Sequence, residues 1–235
     1  MTDQEILAGP KETAEDSVTL GLNVYGNVGG TMQTVLSYTA TDQVPSALAW
    51  LTGNFTGTEN MGIQIAQPWD NNGTLGLIIY GIGNDGTLET VFANPDMGQG
   101  SGALAFLAGY FTGSGTTTQI AQPWDNNGTL EMIVYGIGND GTLETVYTSP
   151  THQGSSALAF LTGNFIGLGS TQIAQTRDNN GSLQLLIYGN VGDGGLSTVF
   201  SNDISQIPFA LAWVTGDFTG TGNTQILQPW IRVFG

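Results

Sequence analysis

Gln67-Pro68-Trp69-Asp70-Asn71-Asn72-Gly73-Thr74-Leu75 recurs without change as Gln122–Leu130. A variant follows as Gln175-Thr176-Arg177-Asp178-Asn179-Asn180-Gly181-Ser182-Leu183, and Gln228-Pro229-Trp230 repeats the opening three residues. Self-similarity at a fixed spacing of tens of residues marks a repeat architecture, in which each copy is one supersecondary unit. Other landmarks keep the same spacing. Tyr-Gly falls at Tyr25, Tyr80, Tyr135 and Tyr188, Thr-Val at Thr34, Thr90, Thr145 and Thr198, and Phe at Phe55, Phe111, Phe165 and Phe218. Each landmark occurs four times, so the chain holds four units.

Each unit carries four short segments rich in β-branched and aromatic residues and bounded by turn clusters, the pattern of short antiparallel strands. Strand one is Ala-Leu-Ala-Trp/Phe-Leu, ending at Thr/Ala-Gly; strand two is Thr-Gln-Ile-Ala-Gln-Pro-Trp. Strand three is Leu-x-Leu-Ile-Ile-Tyr-Gly; strand four is Leu-Glu-Thr-Val-Phe/Tyr. Asn84–Gly86 and Asn139–Gly141 read as hairpin turns between strands three and four, and Asp70–Gly73 does the same between strands two and three. Residues 18–40 hold only strands three and four, whereas residues 210–230 hold only strands one and two. Joined, they make a fourth unit, and closing a sheet array in this way removes free strand edges. The expectation is an all-β, four-bladed β-propeller of four-stranded antiparallel blades. Its units are about 47–101, 102–155, 156–208, and 209–235 joined with 17–46, after a polar, acidic extension at 1–16.

The charge balance restricts partners. Lys11, Arg177 and Arg232 face 19 acidic residues, for a formal charge of −16. Nucleic-acid affinity draws on Lys and Arg meeting phosphates, so no nucleic acid is expected. Anionic membrane surfaces are disfavoured in the same way. Membrane insertion is not expected either, since no apolar stretch approaches the ~20 residues a spanning helix needs. The absence of cysteine excludes disulfides and thiolate sites. Residues 1–17 lack an apolar core, so the expected location is cytoplasmic, or outside the cell by release without a signal peptide.

The segment Gly216-Asp217-Phe218-Thr219-Gly220-Thr221-Gly222-Asn223-Thr224-Gln225-Ile226, with its counterpart Phe111–Ile120, resembles the FG-GAP repeat family, also called VCBS-type repeats, which includes the integrin α-chain propeller. The resemblance covers about Val18 to Trp230. It implies the propeller fold and a range of activities that includes lectins, adhesion receptors and toxin components. The family often holds calcium through carboxylates in the loop between strands one and two. Here Asp217 alone survives in the fourth copy, and calcium wants six to eight oxygen ligands, so the expectation is no metal site and no cofactor.

No catalytic set is nominated by the residues. His152 is the single histidine and has no counterpart in the other units, which reads as an exposed loop position. Glu89 and Glu144 occupy equivalent places, where the other copies have Gln33 and Ser197. An enzyme needs one asymmetric site and repeats supply several equal ones, so the chain is expected not to be an enzyme. Repeated equal sites suit a multivalent binder. Sugars stack one apolar face on an aromatic ring while amides and carboxylates take the hydroxyls. Trp69, Asp70, Asn71 and Asn72 supply these groups together, as do Trp124, Asp125, Asn126 and Asn127. Asp178 and Asn179 belong to the altered third copy, where Arg177 replaces the aromatic. Packing is the competing role for each Trp, and capping the turn is the competing role for each Asp. The expected function is a lectin for glycans or glycoproteins that can self-associate into a homo-oligomer. The alternative is a protein-interaction scaffold or toxin-associated module without sugar binding.

Overall fold

A computed structural model describes residues 19–41, 46–57, 62–83, 86–113, 116–190, 196–204, 206 and 210–230. The acidic extension at 1–16 and part of the Asn84–Gly86 turn lie outside these. The described residues are all-β, and every strand pairing is antiparallel. The chain divides into two compact units, Met1–Pro45 and Ser46–Gly235. The smaller holds one hairpin, β1 (Thr19–Val28) with β2 (Thr31–Thr41).

The larger unit repeats one meander. β3 (Leu51–Gly53), β4 (Gln64–Asn71), β5 (Thr74–Ile82) and β6 (Leu88–Asn94) form the first four-stranded sheet. β7 (Leu107–Gly109), β8 (Gln119–Asn126), β9 (Thr129–Ile137) and β10 (Leu143–Gly154) form the second. β11 (Ala159–Gly163), β12 (Gln172–Asn179), β13 (Ser182–Asn190) and β14 (Leu196–Ile204) form the third, and β15 (Val214–Gly216) pairs with β16 (Gln225–Leu227). The short first strands follow one another in space, β3 beside β7, β7 beside β11 and β11 beside β15. No strand pairing joins one sheet to the next among the described residues.

Strand one is shorter than its sequence suggests, and proline explains it. Ala47 and Ala103 reach only isolated bridges to Trp69 and Trp124, and β3 and β7 begin at Leu51 and Leu107. Pro68 and Pro123 can accept from Leu48 and Leu104, both at 2.8 Å, but have no N–H to return. Where Thr176 replaces the proline, Ala159 pairs with it and β11 starts earlier in its unit, at Ala159. The Thr-Val landmark has an equally local meaning. Tyr80 pairs with Thr90 while Ile79 pairs with Phe92, which leaves Val91 as a bulge. Val146, Val199 and Val35 are skipped in the same way in the other strand-four segments. Such a bulge adds twist to the pair.

Alternation along the middle strands sends one side chain set to each neighbouring sheet. Between the second and third sheets, Leu130, Met132 and Val134 meet Ile173, Leu186 and Tyr188 around the fully buried Phe111. Between the first and second, Leu77 and Ile79 meet Ile120 and Ile137 around Phe55. A backbone clasp fastens each such interface. Thr118 N–H donates to the Asn54 carbonyl at 2.7 Å and its Oγ1 accepts from Asn54 N–H at 2.9 Å. Thr171 with Tyr110 and Thr224 with Asn164 repeat it. A Cβ on Gly53 would lie 2.6 Å from the Thr118 methyl, so the glycine that ends strand one is required by close approach.

Candidate functional site

The shared Asp-Asn-Asn-Gly segments form three matching hairpin tips. Asn72 and Gly73 have φ of 52° and 89°, and Asn127–Gly128 and Asn180–Gly181 repeat these values closely. Two successive positive φ angles define the two-residue turn that matches strand twist, and Asn-Gly tolerates it best. The aspartate fixes each turn from the strand side. Oδ1 of Asp70, Asp125 and Asp178 accepts the glycine N–H at 2.7, 2.6 and 2.7 Å. Asn71 donates to the Pro95 carbonyl at 3.0 Å, Asn126 to Glu131 at 3.2 Å and Asn179 to Asp203 at 3.2 Å. Asp125, Asn126 and Asn127 are exposed together, and Asn72 and Asp178 are exposed in their own tips.

The tryptophans behave differently from the polar residues beside them. A Cβ at Gly76 would meet the Trp69 indole at 2.4 Å, so Trp69 lies flat against β5 where the pairing strand has no side chain. Glu131 occupies that place opposite Trp124, which packs against the buried cluster of Leu75, Ile133 and Tyr135. Both indole N–H groups are buried with no hydrogen-bond partner in the protein. Arg177, the third-copy counterpart, donates through Nε to Gln184. Trp230 of the fourth copy is exposed. The rings of Trp69 and Trp124 are thus engaged in packing, while the tips present carboxylate and amide groups.

Two glutamine series have roles that spacing alone does not reveal. Tyr80, Tyr135 and Tyr188 donate their buried hydroxyls to Gln67, Gln122 and Gln175 at 2.9, 2.7 and 2.6 Å. The repetition of both residues in every unit is the signal that could have found the pair. Gln64, Gln119, Gln172 and Gln225 alternate with apolar residues, which suggests amides ringed around a central axis. Each instead turns into its own unit's loop between strands one and two. Gln64 Oε1 accepts from Phe55 N–H at 2.7 Å and Thr56 N–H at 2.9 Å, and Gln172 holds Phe165 and Ile166 likewise. In the loop between strands one and two of each unit, a side-chain amide thus fastens the backbone. In the fourth copy Asp217 adds its own capping bonds, to Thr221 N–H at 2.9 Å and Gly222 N–H at 2.8 Å.

His152 is exposed, at a φ of 58° within an irregular part of β10. Glu89 and Glu144 are exposed on β6 and β10. Among the described residues, no three or more His, Cys, Asp or Glu side chains gather as a metal-binding group.

No family model and no curated protein matches the sequence. Among solved structures, the chain is similar to rhamnogalacturonan lyase YesW, with a TM-score of 0.50 and 16% identity. The likeness covers 93% of this chain and 49% of that one, so the chain spans about half the length of that structure. It is a likeness of fold. It corrects the expectation that the chain is not an enzyme, which rested on repeat symmetry: a structure of matching fold belongs to an enzyme, so repetition of units is no argument against catalysis.

Proposed function

We propose that this chain is a multivalent carbohydrate-binding protein. The observation that carries the reading is the recurrence of one rigid polar tip. In three copies, a carboxylate pinned by a glycine N–H sits beside amides in the same backbone conformation. Acceptor and donor groups held in place before binding recognise hydroxyls with little ordering cost. Several weak sites on one body gain avidity. The structural neighbour, a rhamnogalacturonan lyase, supports a carbohydrate ligand in general, though the polysaccharide in its name carries uronates. The charge of −16 favours neutral sugars over uronates and sulfated glycans. With the rings of Trp69 and Trp124 engaged in packing, Asp70, Asn71, Asn72, Asp125, Asn126, Asn127, Asp178 and Asn179 supply the contacts.

A glycan array on the full chain tests this. Binding to neutral glycans is expected. Replacing Asn71, Asn126 and Asn179 together by alanine should weaken apparent affinity about tenfold or more, since each site loses a hydrogen bond worth about 1 kcal/mol. The tips keep their Asp–Gly bonds in that variant. A blank array, or unchanged binding by the triple variant, overturns the reading, and a single stoichiometric protein partner would favour an interaction scaffold.

The architecture proposed with this function is a four-bladed ring of FG-GAP type, in which β1–β2 supplies strands three and four to β15–β16. Three complete sheets of one strand order support it. So does the hairpin β1–β2, whose bulge at Val35 is the strand-four bulge of the complete sheets.

A further inference from the structure

The hairpin tips carry a reaction that sugar binding does not use. Asn72-Gly73, Asn127-Gly128 and Asn180-Gly181 are the three Asn-Gly pairs of the chain. Glycine has no side chain to hinder attack by its own nitrogen on the asparagine before it. In that attack the nitrogen gives up its proton and bonds to the side-chain carbonyl carbon. The C–Nδ2 bond breaks, and the amide nitrogen leaves with that proton as ammonia. Water then opens the succinimide ring so formed, and aspartate or isoaspartate remains.

Exposure and packing leave the tips open to this chemistry. All three asparagines and their glycines are exposed. A Cβ at Gly73, Gly128 or Gly181 would meet nothing within 4 Å, so no neighbouring group crowds the attacking nitrogen. What opposes the reaction is one hydrogen bond in each tip. The nitrogen that would attack is the one whose N–H is accepted by Asp70, Asp125 or Asp178, at 2.7, 2.6 and 2.7 Å. A carboxylate at that range disfavours the anion the nitrogen must become, as a like charge does for any ionising group. The pairings Asn71 with Thr74, Asn126 with Thr129 and Asn179 with Ser182 close each turn around the bond.

We propose that Asn72, Asn127 and Asn180 are latent deamidation sites, and that Asp70, Asp125 and Asp178 keep them latent by holding the glycine nitrogen protonated. The bond that shapes each turn thus also preserves it. Isoaspartate would add a methylene to the main chain, and a two-residue turn matched to the strand twist has no place for it.

Peptide mapping of the full chain, incubated in mildly alkaline buffer, reads each asparagine by its mass gain on conversion to an acid. In the folded wild type all three should keep their amides far longer than in the same chain unfolded in urea. Asp70→Asn keeps an oxygen acceptor of the same size and removes its charge. Asn72 should then deamidate about tenfold or more faster than Asn127 in the same molecules. Asp125→Asn and Asp178→Asn should move the fast site to Asn127 and Asn180. Equal rates in the folded and unfolded wild type overturn the inference. So does an altered tip no faster than its two companions in a variant that still melts cooperatively. A slower one would make the carboxylate a base for the reaction and overturns it equally. No glycan enters these readouts, so a blank glycan array leaves them standing, and their failure leaves sugar binding to be judged on the array.

Discussion

At the scale of single residues, the buried Tyr–Gln pair is where chemistry and packing meet. Burial favours the neutral phenol, and it pushes the Tyr188 hydroxyl up to about 12 against opposing effects of Thr151 and the Arg177 charge. Tyr135 is raised by burial as well. A group whose folded-state value lies above its unfolded value contributes stability that is whole below the unfolded value, about 10 for tyrosine, and is lost as pH rises through the folded one. Chemical denaturation across alkaline pH should therefore show stability falling between about pH 10 and 12. Tyr188→Phe should show a shallower fall, because the unfolded chain then has one fewer phenol to ionise. At this scale the turn residues were readable in advance, since Asp-Asn-Asn-Gly has few other backbone solutions. The packing of Trp69 was not, because it depends on Gly76 of the facing strand.

At the scale of elements, one residue type sets strand length. β3 and β7 stop short where Pro68 and Pro123 withhold an N–H, and β11 runs on where Thr176 supplies one. Thr176→Pro should shorten β11 to the length of the others. Hydrogen exchange should then lose protection at Ala159 and Phe160, with a cost of about 1 kcal/mol from the missing ladder bond. Exchange unchanged at both amides would mean that proline does not limit the strand. The Gln-Pro-Trp motif thus marks an element boundary. Its proline was visible in the sequence. Its consequence needed the partner strand, because only pairing shows which side of β4 the absent N–H faces.

At the scale of the whole molecule, a charge of −16 on a surface with few basic residues acts on every compact state through self-repulsion. Screening lengths are about 10 Å at 0.1 M salt and about 3 Å at 1 M, so added salt relieves the repulsion. Thermal melts of the full chain in sodium chloride should show Tm rising from 0.01 M to about 0.5 M, with most of the gain before the screening length drops below the spacing of surface charges. A Tm that falls with salt would mean that net attraction, not repulsion, governs the acidic surface. The same surface argues for neutral ligands, which gain nothing from a basic patch and lose nothing to an acidic one.

The repeat, the all-β character, the position of the hairpin turns and the charge balance were fixed by local sequence, because each depends on the preferences of a few adjacent residues or on simple counting. Tertiary structure decided what the recurring side chains touch. It turned Gln64, Gln119, Gln172 and Gln225 into loop fasteners, paired Tyr80, Tyr135 and Tyr188 with Gln67, Gln122 and Gln175, and laid Trp124 into a core between sheets. A period in sequence says that a position is used alike in every unit. Which neighbour it meets is set by how one sheet lies on the next, and that depends on residues some fifty positions away, as with Asn54 and Thr118.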